Sequence, residues 1–392
     1  MRNEYYESNL TKRYFREIFT GNDCNLRCKY CYEHNKANQV TTREDVEAFI
    51  RYIYTRDAEN DFFKKYDYVA PKINFIGGEP LLHPDLIDYA LDIIHSYNVQ
   101  YNLREGVIGG LITNGTIIPI SEEVQNLLRK WSNKLSCSFS IDGTKEAHDK
   151  YRVDANGDGS YDAAIAGYRI ARDILGNDKC FAKMTLGHET MHTVSDGVIN
   201  LFNEGFDRVQ CTVILEENWP EEEAEWVYKQ HLPLINYMIE NGLYKTKVFL
   251  PFRRELAFEK TISENPNCSA CKSGVLCIGC DHKIYGCHHF ATLTDNLDSA
   301  SLGRIENGQV IMDNLDLINK VTNIWKSRPE KCLDCPLGAH CTNCAASIYG
   351  YNPQDPSDYF NRYNQCGYTK GLHKARMVFK DRVAQAETPQ DE

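Results

Sequence analysis

Thirteen of the sixteen cysteines in this 392-residue chain fall into two short stretches, and that distribution restricts the fold more than any other feature. Three lie at Cys24, Cys28 and Cys31, and ten lie between Cys268 and Cys366. Neither a secretory apolar segment nor a membrane-spanning run is apparent, so a cytoplasmic location is expected. Disulfides are disfavoured there, and clustered thiols read as metal ligands. The three remaining cysteines behave differently. Cys137 in LSCSFSI and Cys211 in VQCTVIL sit in alternating strand patterns that point to packing rather than chemistry, and Cys180 also stands alone.

The rest of the chain is ordinary for a soluble globular protein, with 42% hydrophobic and 25% charged residues. A formal charge of -11 argues against a nucleic-acid surface, and no membrane partner is expected. Strand patterns at Tyr14–Thr20, KINFIG, GVIGGLIT, LSCSFSI, CFAKMTL and DRVQCTVIL alternate with helical patterns beginning near Thr42, Pro84, Ser121, Ser160 and Thr193. Alternation of this kind gives a parallel sheet with right-handed crossovers. Six such units predict an α/β fold, a partial (β/α)6 TIM-like barrel with its functional loops at the carboxyl ends of the strands. The acidic segment PEEEAEWVYKQ reads as a solvated helix face. From Asn265 onward periodicity fades and cysteine takes over, as in a small metal-stapled domain. The expected division is a barrel over 1–245, a Cys-rich domain over 246–370, and a C-terminal helix with a polar tail over 371–392.

The first thiol group, DCNLRCKYCYE, offers three ligands at C-x3-C-x2-C spacing. A Cys-ligated iron–sulfur cluster takes four. The shortfall leaves three options: a fourth Cys from afar, a zinc site completed by His34, or a cluster with one open iron. Downstream, KCLDCPLGAHCTNC reads C-x2-C-x5-C-x2-C from Cys332 to Cys344, and taken alone it fits a zinc ribbon equally well.

Together these motifs resemble the radical S-adenosylmethionine (SAM) superfamily. Cys24, Cys28 and Cys31 match its signature, with Tyr30 at the aromatic position. GGEP follows at Gly77, Gly78, Glu79 and Pro80, where the family positions the SAM amino group. LITNGT, with Thr113, Asn114 and Gly115, and SFSIDG, with Ser140 and Asp142, close the next two strands, and Arg152 stands where related enzymes place a basic residue near the SAM carboxylate. The resemblance implies a SAM-binding [4Fe-4S] cluster whose open iron is chelated by SAM, giving a deoxyadenosyl radical that abstracts hydrogen.

The two C-terminal Cys blocks resemble the SPASM extension, which carries two auxiliary [4Fe-4S] clusters, so three clusters are implied in all. By position, Cys271, Cys277, Cys287 and Cys344 would hold auxiliary cluster I, with Cys277 preferred over Cys268 for its x5 spacing. Cys332, Cys335, Cys341 and Cys366 would hold auxiliary cluster II. The chain departs from the pattern in having x2 rather than x3 before Cys344, extra thiols at Cys268 and Cys280, and His282 in place of a Gly.

Two substrate classes compete. Anaerobic sulfatase-maturating enzymes share this domain order, but their base is an Asp directly after the last upstream Cys, where this chain has His288 in GCHHF. A neutral His can take a proton, while His288 and His289 also suit hydrogen bonding beside a cluster. Maturases of ribosomally made peptides, forming thioether or carbon–carbon crosslinks, are the preferred class. The 23 residues before Cys24 are too few for a peptide-recognition domain, so leader recognition would need a separate protein or the barrel surface. A precursor peptide and a flavodoxin or ferredoxin reductant are the implied partners. A non-catalytic iron–sulfur or zinc protein is the remaining alternative, and it leaves GGEP, LITNGT and SFSIDG without a purpose.

Overall fold

The computed structural model describes residues 15–33, 38–253, 276–292, 300–338, 341, 343–351 and 357–388. Seven strands line up in sequence order and run parallel: β1 (Phe15–Phe19), β2 (Lys72–Ile76), β3 (Gly109–Thr113), β4 (Leu135–Ser140), β5 (Cys180–Leu186), β6 (Arg208–Val213) and the two-residue β7 (Val248–Phe249). Between them run α1 (Arg43–Glu59), α2 (Pro84–Gln100), α3 (Glu122–Lys130), α4 (Lys145–Tyr151), α5 (Tyr161–Leu175), α6 (Val194–Asn203) and α7 (Ala224–Glu240). The six expected units are present, and β7 adds a short seventh strand.

Strand alternation shows which face is which. In β5 the buried Cys180, Ala182, Met184 and Leu186 alternate with half-buried Phe181, Lys183 and Thr185. The buried set packs under the helices, whereas the half-buried set faces the concave interior. Cys137, Cys180 and Cys211 belong to the packed face, as their alternating contexts suggested. Curvature is visible in the charges. On a flat sheet four spacings, ~19 Å, would separate β1 from β5, yet Glu17 of β1 and Lys183 of β5 act on each other electrostatically across the hollow.

Local chemistry starts the helices. The hydroxyls of Thr42 and Ser121 accept hydrogen bonds from the backbone N–H of Asp45 (3.1 Å) and Val124 (3.2 Å). Ser160 also precedes a helix but its hydroxyl is used elsewhere, donating to the Arg152 carbonyl at 2.8 Å. The Asp149 carboxylate takes over that end, accepting from Tyr161 N at 2.9 Å.

The Cys-rich region contains more regular structure than its fading periodicity implied. Strands β8 (Leu276–Ile278), β9 (Lys283–Tyr285), β10 (Gly303–Glu306) and β11 (Gln309–Met312) form an antiparallel meander, and β8 pairs in parallel with β1, so the barrel sheet continues to eleven strands. His282, at the β8–β9 turn, has φ of 62°, the left-handed conformation that Gly adopts at no steric cost. Its ring is held by the Asp45 carboxylate at 2.6 Å. Short helices α8 (His288–Ala291) and α9 (Ala345–Tyr351) pack together, and α10 (Cys366–Glu387) lies along α7. The helix α10 runs past Ala384, where a polar tail was expected, and residues 389–392 lie outside the described residues. The acidic segment at the start of α7 is not simply solvated: Glu221 ahead of the helix and Glu225 in its first turn pair with Lys370 (2.5 Å) and Lys374 (2.6 Å) of α10.

Candidate active site

The motif residues converge at the carboxyl ends of β1 to β4. After β1 the chain enters the loop bearing Cys24, Cys28 and Cys31, all half-buried. Two glycines let β2 press against that loop. A Cβ at Gly77 would lie 2.1 Å from the Gly21 carbonyl oxygen, and one at Gly78 would lie 2.0 Å from that of Asp23. The space is instead filled by hydrogen bonds from Gly78 N to Gly21 O and from Glu79 N to Asp23 O, both 2.9 Å. Further along the loop, Arg27 N and Lys29 N donate to the carbonyls of Val153 (2.6 Å) and Tyr151 (2.9 Å), and Asn25 bonds with Thr116 (2.7 Å) and Asn114 (2.9 Å). The GGEP sequence is therefore a close backbone junction as well as a turn.

Glu79 is 1% exposed and accepts hydrogen bonds from Thr113 Oγ1 (2.6 Å), Asn114 N (2.7 Å) and Leu81 N (3.1 Å). Burial pushes its carboxyl up to about 7, against the pull of those donors and of Arg152. A buried carboxylate poised there is suited to receive an ammonium group. Pro80 opens the buried turn Pro80–Leu82 beside it.

Asp142 has a different task. Its Oδ2 accepts from Arg152 Nε at 2.8 Å and from Tyr30 OH, while Oδ1 accepts from Thr185 N at 2.9 Å. The Arg152 guanidinium lies 5.2 Å from the Tyr30 ring centroid. Burial works against the Arg152 charge, but Asp142, Tyr30 and Cys28 together more than offset it and raise its pKa. His148 completes this layer. Its Nδ1 accepts from Asp142 N at 3.2 Å and its Nε2 meets Ser160 Oγ at 3.0 Å, so the ring is neutral with its proton on Nε2. Burial holds it down to about 4. Ser140 is half-buried at the end of β4, opposite Lys183.

A model of the radical SAM superfamily matches residues 18–196. The chain carries a radical SAM domain. A SPASM-like Cys-rich region follows it. The cysteine-type anaerobic sulfatase-maturating enzyme of Clostridium novyi is 31% identical over 38% of this chain and 37% of its own length, so the match spans just over a third of that relative. The radical SAM cyclopropyl synthase TigE of Paramaledivibacter caminithermalis is 21% identical over 85% of this chain and 68% of its own. Among solved structures, anSMEcpe with bound AdoMet and the Cp18Cys peptide superposes with a TM-score of 0.69 at 18% identity, covering 95% of this chain and 98% of that one, a likeness of fold.

Inside the radical SAM barrel the sequence reading missed a charged group. His288, the residue after Cys287, is bound to Glu17 of β1: its backbone N–H donates to Oε2 at 2.9 Å, and its Nδ1 lies 3.0 Å from both carboxylate oxygens. Burial raises the Glu17 pKa, but His288 and Lys183 outweigh it and leave it lowered. Glu17 was hidden within FREIF, which reads as an ordinary alternating strand; only the β8–β1 pairing brings Cys277 and His288 beside it. The Tyr32 and His289 rings meet at a tilt of 31°, with centroids 4.6 Å apart. Lys183, on the opposite wall, has its pKa lowered by burial and by Arg152, with Glu17 and Asp142 pulling the other way.

The second and third thiol groups are gathered unequally. Cys332, Cys335, Cys341 and Cys366 stand close enough to influence one another electrostatically. Asn343 Nδ2 and Thr369 Oγ1 direct donors at Cys341 Sγ, at 3.3 and 3.7 Å, which suits a sulfur carrying negative charge. Cys277, Cys280 and Cys287 likewise neighbour one another, and Cys280 Sγ accepts from Thr41 at 3.6 Å. Cys344 begins the segment that packs onto α8, directly after Cys287. Cys271, Cys268 and His34 lie outside the described residues. Among the described residues no three His, Cys, Asp or Glu side chains gather as a site for one metal ion. No helix among them is long and apolar enough to cross a membrane.

Proposed function

We propose that this protein is a radical SAM oxidoreductase acting on a peptide or protein side chain, in the manner of anaerobic sulfatase maturation. The observation that carries the cofactor part is Glu79, a buried carboxylate held at the mouth of the Cys24/Cys28/Cys31 loop and poised to bind an ammonium. SAM and an iron–sulfur cluster together would supply hydrogen-atom abstraction from a substrate C–H bond. The protein's residues do the rest. Cys24, Cys28 and Cys31 would hold the metal, Glu79 the SAM amino group, and Gly77, Gly78, Thr113 and Asn114 would fix that carboxylate. Tyr30, Asp142 and Arg152 brace the loop from the β4 side, with Ser140 facing the hollow.

After hydrogen abstraction, oxidation of a Ser or Cys side chain releases one proton and one electron, giving the aldehyde from Ser and a thioaldehyde from Cys that water hydrolyses to the aldehyde with loss of hydrogen sulfide. His288 is the proton acceptor: Glu17 holds Nδ1, which leaves Nε2 for the substrate. The Asp of sulfatase-maturating enzymes would thus be replaced by a carboxylate–imidazole pair drawn from two distant segments. The electron would pass to clusters held by Cys271, Cys277, Cys287 and Cys344 and by Cys332, Cys335, Cys341 and Cys366, with flavodoxin or ferredoxin as outside partner.

Sulfatase maturation takes precedence over the ribosomal-peptide maturation preferred from sequence, because it is supported by the sequence match at 31% identity and the 0.69 superposition. Crosslinking of a precursor peptide is the second reading, favoured by the alignment with TigE across 85% of this chain. The test is anaerobic incubation of the reconstituted protein with SAM, dithionite and a sulfatase-derived peptide containing Cys at the modified position. A peptide aldehyde, trapped with a hydrazine and seen by mass spectrometry, is expected; deoxyadenosine without peptide oxidation would shift the assignment to the precursor-peptide reading.

A further inference from the structure

The Cys332–Cys366 group contains a cation that no motif points to. Arg328 is 8% exposed and donates from Nη1 to the Gly338 carbonyl at 2.8 Å. Gly338 lies in the Cys335–Cys341 loop, where its N–H donates to Cys335 O at 2.9 Å. A Cβ placed on Gly338 would lie 2.9 Å from Cys332 O, 3.5 Å from Arg328 Nη1 and 4.0 Å from Cys335 Cβ. The guanidinium is therefore folded into the same small volume as the thiols rather than beside it. Cys332, Cys335 and Cys341 all act on Arg328 electrostatically.

We propose that Arg328 is a positioning residue that sets the electrostatic poise of the Cys332/Cys335/Cys341/Cys366 site, raising the reduction potential of the iron–sulfur cluster held there. The inference rests on the reading of these four thiols as cluster ligands. Reduction adds one negative charge to a cluster, and a fixed cation nearby stabilises the reduced state. Burial makes Arg328 effective, since a cation out of water is little screened by salt. Among the described residues the other cations near these thiols are weaker candidates: Lys331 is exposed, and Lys370 is engaged by Glu221 at 2.5 Å. The upstream group is of opposite character, because Cys277 stands beside the Glu17 carboxylate and Asp281. The two auxiliary sites thus differ in the sign of their nearest buried charge.

The experiment is an EPR-monitored redox titration of the full-length, anaerobically reconstituted protein, comparing wild type with Arg328→Gln and Arg328→Lys and counting iron in each. Gln retains a donor for Gly338 O but no charge, whereas Lys retains the charge. At the wild-type midpoint the reduced-to-oxidised ratio of this cluster should fall about tenfold in Arg328→Gln, about 59 mV for a one-electron couple, and should change far less in Arg328→Lys. A full iron count with an unmoved midpoint in Arg328→Gln overturns the proposal. Should both variants lose iron, wild-type protein labelled with heavy-isotope arginine decides the matter. Hyperfine coupling of the arginine nitrogen to the reduced cluster supports the proposal, and its absence refutes it. Wild-type protein lacking a cluster on these thiols would instead overturn the ligand assignment itself.

Discussion

The loop carrying Cys24, Cys28 and Cys31 and the nest formed by Cys332, Cys335, Cys341 and Cys366 hold their thiols by different means. The barrel loop is fastened by backbone hydrogen bonds to Gly78, Glu79, Tyr151 and Val153 and rests on a closed apolar layer that includes Ile18, Ile73, Phe75 and Leu111. The nest is fastened mainly by its own turns, such as Cys332 N to Pro329 O at 2.8 Å, and by polar groups directed at sulfur. The first geometry exists through protein packing; on the proposed reading the second would depend on what the thiols bind.

The largest contrast should appear in cysteine variants. Replacing Cys24, Cys28 and Cys31 together with Ala should abolish deoxyadenosine formation while leaving hydrogen-exchange protection of β1 to β6 intact. Replacing Cys332 and Cys335 with Ser should expose residues 330–366 to exchange. Equal unfolding in both variants would break the comparison. Next in size is the buried Arg16–Asp57 pair, at 3.2 Å with both side chains fully buried. Asp57→Ala removes the buried carboxylate that pairs with both Arg16 and Arg56 and should destabilise the barrel by about 3–5 kcal/mol, measured by urea denaturation, with the same loss whether or not iron is present.

Glu79→Gln should weaken AdoMet binding about 10- to 100-fold, as expected for losing charged hydrogen bonds of ~1.5–3 kcal/mol. In the wild type, Glu79 below about pH 7 must release a proton before it can pair with an ammonium, so affinity should fall towards tenfold per pH unit below 7 and level off above. Equilibrium dialysis across pH 5.5–8 would show this, and a flat profile would remove Glu79 from the assignment. The smallest effect concerns His148, held at about 4 in the fold against about 6.5 when unfolded. The unfolded chain binds the extra proton between these values, so stability falls as pH drops through that window. Its share of the loss between pH 7.5 and 5.5 is about 1 kcal/mol, and it should vanish in His148→Gln.

Local rules made the barrel legible. Thr42 and Ser121 marked helix starts, and CFAKMTL gave β5 at its full length. Tertiary choices were not legible. Ser160 fits a cap signal but is drawn away by Arg152 and His148, and GVIGGLIT begins its strand only at Gly109. The strands β8 to β11 are three or four residues long, too short for periodicity to register against their cysteines. Glu17 becomes meaningful only once its distant partner His288 is placed.

The pairing of β8 with β1 also sets a timetable. Glu17 and His288 are 271 positions apart, so the carboxylate emerges from the ribosome long before the imidazole that completes it. Early in synthesis the nascent barrel has an unpaired first edge, a hazard for mispairing. The Glu17–His288 pair can therefore form only after the intervening residues, strands β2 to β7 of the parallel sheet among them, have been synthesised.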